Sequence, residues 1–243
     1  VTVTERVVLA GGRRQLLAMS AAAVGGLVLS ACAGSKPAPH QPGGTGAQEQ
    51  EVPVTPPEDL MREHGVLKRV LLVYREGIGR LQAGDQGSAP ALNAAAGIIR
   101  SFIEDYHEGL EEQYVFPTLE KVGKLADITA VLRTQHQRGR ALTDRILSAT
   151  GASALNRRAL QDSVQDMMAF VRMYEPHEAR EDTVVFPALR AVVAAPELWA
   201  MAETFEEEEH RRFGARGFDD VVDQVADIEK TLGIYDLAQF TPT

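Results

Sequence analysis

One unit is written twice in this chain, and it constrains the fold more than any bulk property. His107 and Glu111 precede Val115-Phe116-Pro117; His177 and Glu181 precede Val185-Phe186-Pro187, and in both copies the Phe lies nine residues after the His. A His and a Glu four residues apart project from one face of an α-helix, one turn apart. The unit therefore asks for helix twice, and each time places a nitrogen donor beside a carboxylate. The surrounding residues put both units on apolar stripes. Ile99, Ile103, His107 and Glu111 form a ladder of four-residue steps; Ile128, Leu132 and His136 form another. Phe170, Met173, His177, Glu181, Val184 and Val185 share a third stripe. Polar groups inside apolar stripes are either ligated or costly, because burying an unpaired carboxylate costs on the order of several kcal/mol.

From Pro57 onward there is almost no period-2 alternation, and helical spacing recurs throughout. Thr55 is suited to cap a first helix with prolines in its first turn, running to about Leu81. Further helices are predicted over about 90–116, 125–150, 156–185, 196–213 and 217–232. Short loops between long helices imply antiparallel neighbours. The expected fold is all-α: an up-down-up-down four-helix bundle with one or two extra C-terminal helices. His64, His107, His136, His177 and His210 fall on the first five helices in order. The intervals from His64 to His107 and from His136 to His177 are 43 and 41 residues, as for one helical hairpin used twice. Two such hairpins about a pseudo-twofold axis would bring ligands from four helices to one point.

Core histidines have no reason to recur with a carboxylate at the same offset beside the same tail. His64, His107, Glu111, His136, His177 and Glu181 therefore read as a metal site. His210 is a seventh candidate because Glu209-His210 echoes Glu63-His64; its acidic neighbours Glu206 to Glu209 equally fit a solvated face. Tyr106, Tyr114 and Tyr174 flank the ligand turns, either as core edge or as hydrogen-bond donors to the site. Phe116-Pro117 and Phe186-Pro187 are expected to end or kink the ligand helices and plug the bundle. Pro176, directly before His177, removes a helical N–H and is expected to bend its helix.

The single cysteine, Cys32, excludes an intrachain disulfide and a thiolate cage, so a metal must be held by nitrogen and oxygen. The 243 residues carry a formal charge of −9. Residues 1–31 hold one acidic and three basic side chains, which leaves the remainder at −11. A domain this acidic has no electrostatic footprint for nucleic acid or an anionic membrane surface.

Residues 1–31 look like an export signal. Arg13-Arg14-Gln15-Leu16-Leu17 leads into an apolar, Ala- and Gly-rich run that ends at Leu29-Ser30-Ala31-Cys32. The paired arginines resemble a twin-arginine signal, and Leu-Ser-Ala-Cys resembles a bacterial lipobox whose Cys32 becomes lipid-modified. Residues 32–56 then read as a flexible tether, with His40 discounted as a ligand. On this reading the protein is an exported lipoprotein, on the outer face of the cytoplasmic membrane or in the periplasm, touching membrane only through a lipid on Cys32.

The ordered set of a lone His, His-x-x-x-Glu, a lone His and His-x-x-x-Glu resembles the hemerythrin-like family of HHE cation-binding domains, over about residues 57–240. The resemblance implies an oxo- or hydroxo-bridged di-iron centre, with Glu111 and Glu181 as bridging carboxylates. It implies His64 and His107 on one iron, His136 and His177 on the other. The classical oxygen carriers of the family have a third histidine on the second iron, one turn from the match to His136; here those positions are Leu132 and Arg140. His210, water or a carboxylate such as Glu108 would fill that place. The function implied is binding or sensing of O2, NO or peroxide, or holding iron. The alternative is a di-iron enzyme consuming peroxide or nitric oxide. A zinc-bearing structural bundle is a third reading. Any redox cycle needs an external reductant, because no electron-transfer domain is attached.

Overall fold

The structure, a computed structural model, describes residues 54–151 and 156–242. The signal, Cys32 and His40 lie outside the described residues, as does almost all of the tether. Among the described residues the chain is helical, with no strand, and no helix is long and apolar enough to cross a membrane.

Helix α1 spans Pro56–Gln82. Its start matches the sequence expectation: the Glu58 carboxylate accepts from the Thr55 backbone N–H at 3.0 Å and from the Thr55 hydroxyl at 2.8 Å. The second long segment begins as α2 (Ala89–Ile98) and continues without a break through a π-helical stretch, Ile99–His107. The turn α3 (Glu108–Leu110), a second π stretch, Glu111–Val115, and α4 (Phe116–Lys121) complete it. Helix α5 spans Ala126–Thr150. Helix α6 (Arg157–Arg180) starts at Asn156, whose side chain accepts from the Arg158 N–H at 2.8 Å, and runs unbroken through Pro176. It passes into a third π stretch, Glu181–Val185, and then α7 (Phe186–Val192). Helices α8 (Ala195–Phe213) and α9 (Gly217–Thr231) follow.

The Phe-Pro pairs do not end the ligand helices. Each follows a π turn: the Phe116 N–H bonds to the Glu111 carbonyl and the Phe186 N–H to the Glu181 carbonyl, five residues back in both cases. Pro117 and Pro187 have no N–H, and their rings would clash with the carbonyl four residues back in a regular helix. A widened turn just upstream lets the helix continue through them. It begins at the carboxylate of each His-x-x-x-Glu unit, and single π turns of this kind recur at functional sites.

Packing forms a closed cycle. Helix α1 packs on α6 and on the α2–π segment; α5 packs on α6 and on that same segment; α4 and α7 meet at one end. Helix α8 lies on α1, and α9 lies on α1, α2 and α8. The ladders read from the sequence point inward, since Ile99, Ile103, Leu132, Phe170 and Val185 are all buried. Phe116 and Phe186 are fully buried.

Close approach of α5 to α6 requires Gly139. A Cβ there would sit 2.0 Å from the Tyr174 hydroxyl. That hydroxyl cannot yield easily: it donates to Glu108 at 2.6 Å, and its ring stacks on Phe170 with centroids 4.2 Å apart. Overpacking of this kind costs about 1–3 kcal/mol. Gly139→Ala is expected to lower the thermal midpoint by roughly 2–10 °C, read by circular dichroism, whereas Gly65→Ala, where nothing lies within 4 Å, should leave it unchanged or raised.

Candidate metal centre

The six ligand candidates from the four long segments converge in the core. His64, His107 and Glu111 form one group whose donor atoms lie within 4.8 Å of one another, and His136, His177 and Glu181 form a second. All six are buried. The carboxylates join the groups. Glu181 Oε2 lies 3.1 Å from His177 Nε2 and 3.4 Å from His64 Nε2. Glu111 Oε1 lies 3.8 Å from His107 Nε2, and its Oε2 lies 3.5 Å from His136 Nε2. Each carboxylate thus stands between one histidine of each repeat.

Every ring is oriented by an oxygen on its outer nitrogen. His64 Nδ1 meets Asp182 at 2.7 Å, His107 Nδ1 meets Glu63 at 2.9 Å, His136 Nδ1 meets Glu112 at 2.9 Å, and His177 Nδ1 meets Gln135 at 2.8 Å. An acceptor at Nδ1 holds the proton there and turns the lone pair of Nε2 inward, the standard support for a metal-ligating imidazole. The pattern obeys the repeat. The residue after each Glu of the motif (Glu112, Asp182) holds the lone His of the other hairpin. The residue before each lone His (Glu63, Gln135) holds the His of the motif. The repeated motif itself singles out none of these four. Their signal was adjacency: Glu63-His64, Gln135-His136, Glu111-Glu112 and Glu181-Asp182.

Packing around the rings repeats the exchange between hairpins. Phe116 stacks on His136 with centroids 5.6 Å apart, and Phe186 stacks on His64 at 5.5 Å. Each Phe of the repeated tail therefore walls the lone His of the opposite hairpin.

The residues fit a cation. All four oxygens of Glu111 and Glu181, together with His136 Nε2, are buried with no hydrogen-bond partner. The Nε2 atoms of His64 and His107 face each other at 3.1 Å. Two inward lone pairs at that distance need a proton or a cation between them, and unpartnered buried carboxylates need the same.

Residues 55–172 match the family model of the hemerythrin HHE cation binding domain. The chain carries an HHE domain. The match takes in His64, His107, Glu111 and His136; His177 and Glu181 lie beyond its end and are brought to the same point by the fold. The chain is 69% identical over 233 residues to Uncharacterized protein Rv1995 of Mycobacterium tuberculosis, covering 96% of this chain and 91% of that protein. The same identity and coverage hold for Uncharacterized protein Mb2018 of Mycobacterium bovis. The chain belongs to one family with these proteins. No solved structure matches it significantly.

Other residues flagged in the sequence fall outside the centre of the HHE domain. His210 is exposed on α8 and belongs to none of the ligand groups. The inward positions of α8 are Leu198, Phe205 and Glu209, and His210 is one step round the helix from them. Glu108 is also spoken for. It accepts from the Tyr174 hydroxyl, its Oε2 lies 2.9 Å from Arg140 Nη2, and it approaches His136 only on the Nδ1 side, at 3.9 Å. Tyr106 and Tyr174 do donate hydrogen bonds near the site, but to Glu63 and Glu108 and not into the ligand cluster. Tyr114 packs against Phe205, with ring centroids 5.7 Å apart.

Burial and crowding divide the protons unevenly in the metal-free domain. Burial raises Glu111 well above the usual carboxylate range, and the neighbouring carboxylates Glu181 and Glu108 add to the effect. Burial would raise Glu181 too, but His177 and His64 outweigh it and hold Glu181 well below that range. For His64, burial acts to lower the pKa, yet Asp182 and Glu181 prevail and raise it to about 9. Burial lowers His136 to about 4. His64 thus binds its proton more tightly folded than unfolded. Its contribution to metal-free stability is present below about 6.5 and is lost as pH rises through about 9. A divalent cation taken up near neutral pH must displace the His64 proton. Calorimetric titration in two buffers of different ionisation enthalpy should register release of at least one proton. Glu111→Gln should leave the metal-free domain at least as stable to heat while weakening cation uptake.

Proposed function

We propose that this is a non-haem di-iron protein of the cell envelope that binds or senses O2 or a related small ligand such as NO or peroxide. The observation that carries the reading is the pair Glu111 and Glu181, buried with unpartnered oxygens, each set between histidines of both repeats. On this reading His64 and His107 would hold one iron and His136 and His177 the other, with Glu111 and Glu181 shared between them. The closed cycle of four long segments is read as an up-down-up-down four-helix bundle, with α8 and α9 as the appended helices. Two imidazoles and shared carboxylates per ion form a nitrogen–oxygen set with open positions, which suits non-haem iron.

The iron pair, when bound, supplies Lewis acidity and one-electron redox chemistry. The chain's own residues do the rest. Asp182, Glu63, Glu112 and Gln135 hold the rings in one tautomer and aim them. Phe116 and Phe186 wall the site with apolar surface and exclude water from two of the four histidines. The Arg13-Arg14 signal and the sequence ending at Cys32 support export and a lipid anchor, which would hold the domain on the outer side of the cytoplasmic membrane.

Metal analysis of the purified protein is expected to give about two irons per chain, as the bridged arrangement requires. Glu111→Ala and Glu181→Ala should each lose most of the iron, and His210→Ala should keep it. Zinc in place of iron, or full iron retention in both Glu variants, would overturn the assignment. For the anchor, Cys32→Ala is expected to move the protein from the membrane fraction to the soluble fraction without changing its iron content.

A further inference from the structure

The two repeats present the same face in two different conditions. With His136 aligned on His64 and His177 on His107, the positions Ile128, Val131, Leu132, Gln135 and Pro176 correspond to Pro56, Asp59, Leu60, Glu63 and Tyr106. On the first hairpin these positions are covered, and the cleft of about 470 Å³ beside α8 is lined by Tyr106 but by no histidine. Pro56, Asp59, Leu60, Glu63 and Tyr106 are all buried, and α8 lies over them. Glu209 comes within 4.8 Å of Asp59 and Glu63, and the Phe213 ring packs edge-on against Tyr106 at 5.4 Å. No described helix takes the corresponding place on the second hairpin. There Ile128, Val131, Leu132, Gln135 and Pro176 line an open cleft of about 400 Å³ that reaches His177.

The cleft's chemistry selects what enters it. Its walls are mainly apolar, and its two charged members, Asp127 and Arg180, are of opposite sign and offer no net attraction to an ion. Its inner end is a ligand histidine whose Nδ1 is held by a wall residue, Gln135, at 2.8 Å. At the matching place on the closed side His107 is held by a carboxylate, Glu63, at 2.9 Å. A carboxylate on the outer nitrogen raises the basicity of an imidazole more than a neutral amide does. The half-site at the end of the cleft is therefore supported by a neutral amide, and its His177 borders the open cleft.

We infer that the cleft between α5 and α6 is the entry route for a small uncharged ligand, and that it delivers the ligand to the His136/His177/Glu181 half of the centre and not to the His64/His107/Glu111 half. The inference rests on the reading of the centre as a ligand-binding metal site, and its test is built in two arms so that the two can fail separately.

Xenon serves as an apolar probe for the metal-free full chain, since it binds apolar cavities. Under xenon pressure, NMR should show saturable shifts at the Ile128 and Leu132 methyls and at the His177 Cε1–H, with His107 unmoved. Val131 is 55% exposed at the mouth, so Val131→Trp can plug the cleft without touching a ligand, and it should abolish those shifts. In the second arm, nitric oxide is mixed with the reduced iron-loaded protein. Val131→Trp should slow association by about tenfold or more with iron content and absorption spectrum unchanged, while Gln161→Trp, placed in a separate cleft between α1 and α6, should have no effect. Xenon shifts at His107, no xenon shift at His177, or an unchanged association rate in Val131→Trp would each overturn the inference. A chain that holds no iron would overturn the proposed function, and the xenon arm would still decide whether the cleft admits a ligand to His177.

Discussion

Two carboxylates buried without a hydrogen bond set the terms for the whole domain. No oxygen of Glu111 or Glu181 accepts a hydrogen bond, and their nearest polar neighbours are imidazole nitrogens, in a core otherwise built largely from Leu, Ile, Val and Phe. Each such group left charged and uncompensated costs several kcal/mol, and a domain of this size has only about 5–15 kcal/mol of net stability. The fold answers by bringing four imidazole Nε2 atoms to the carboxylates, with burial raising Glu111 and the carboxylates holding a proton on His64, or with a cation in their place. Where a cation is bound at such a site, binding and folding free energy become one quantity.

The repeat is interlocked rather than side by side. Phe116 covers the His of the second hairpin, and Phe186 covers the His of the first. Glu112 orients His136 and Asp182 orients His64 across the same boundary. Each hairpin carries one of the two candidate ligand groups, but neither contains a complete set of orienting residues, so the supported centre exists only when both are packed. Around it a second ring of charge is also crossed: Lys68 of α1 pairs with Glu178, and Arg140 of α5 pairs with Glu108. These cations stand four residues after the lone histidines, on the same helical face, and neutralise the buried carboxylates next to the motif histidines. The symmetry is broken by α8, which covers the first hairpin's face and leaves the second open.

Much of this was legible from spacing. The four-residue ladders predicted the inward faces; Thr55 and Asn156 mark helix starts close to where they occur, and His64, His107, Glu111, His136, His177 and Glu181 meet as two adjoining groups. Adjacent residues of the same helix were harder to separate. Glu209 turns inward while His210 faces solvent, because one residue is 100° of rotation and only packing decides which of two neighbours faces the core. The Phe-Pro pairs read as helix ends or kinks because proline breaks the regular hydrogen-bond ladder. The π turns that let the helix pass through them follow from backbone relaxation, which no local propensity encodes.

From the sequence alone come the all-helical class, the duplicated unit, the nitrogen–oxygen character of the site and its six central residues, because periodicity and repetition are local properties of a chain. Tertiary structure decided the rest. It selected Asp182, Glu63, Glu112 and Gln135 as the groups that orient the rings, a choice made between side chains as many as 118 positions apart. It exposed His210 and tied Glu108 to Tyr174 and Arg140. It also placed α8 over one hairpin and left a cleft on the other, since which copy of a repeated face is covered depends on where the rest of the chain packs.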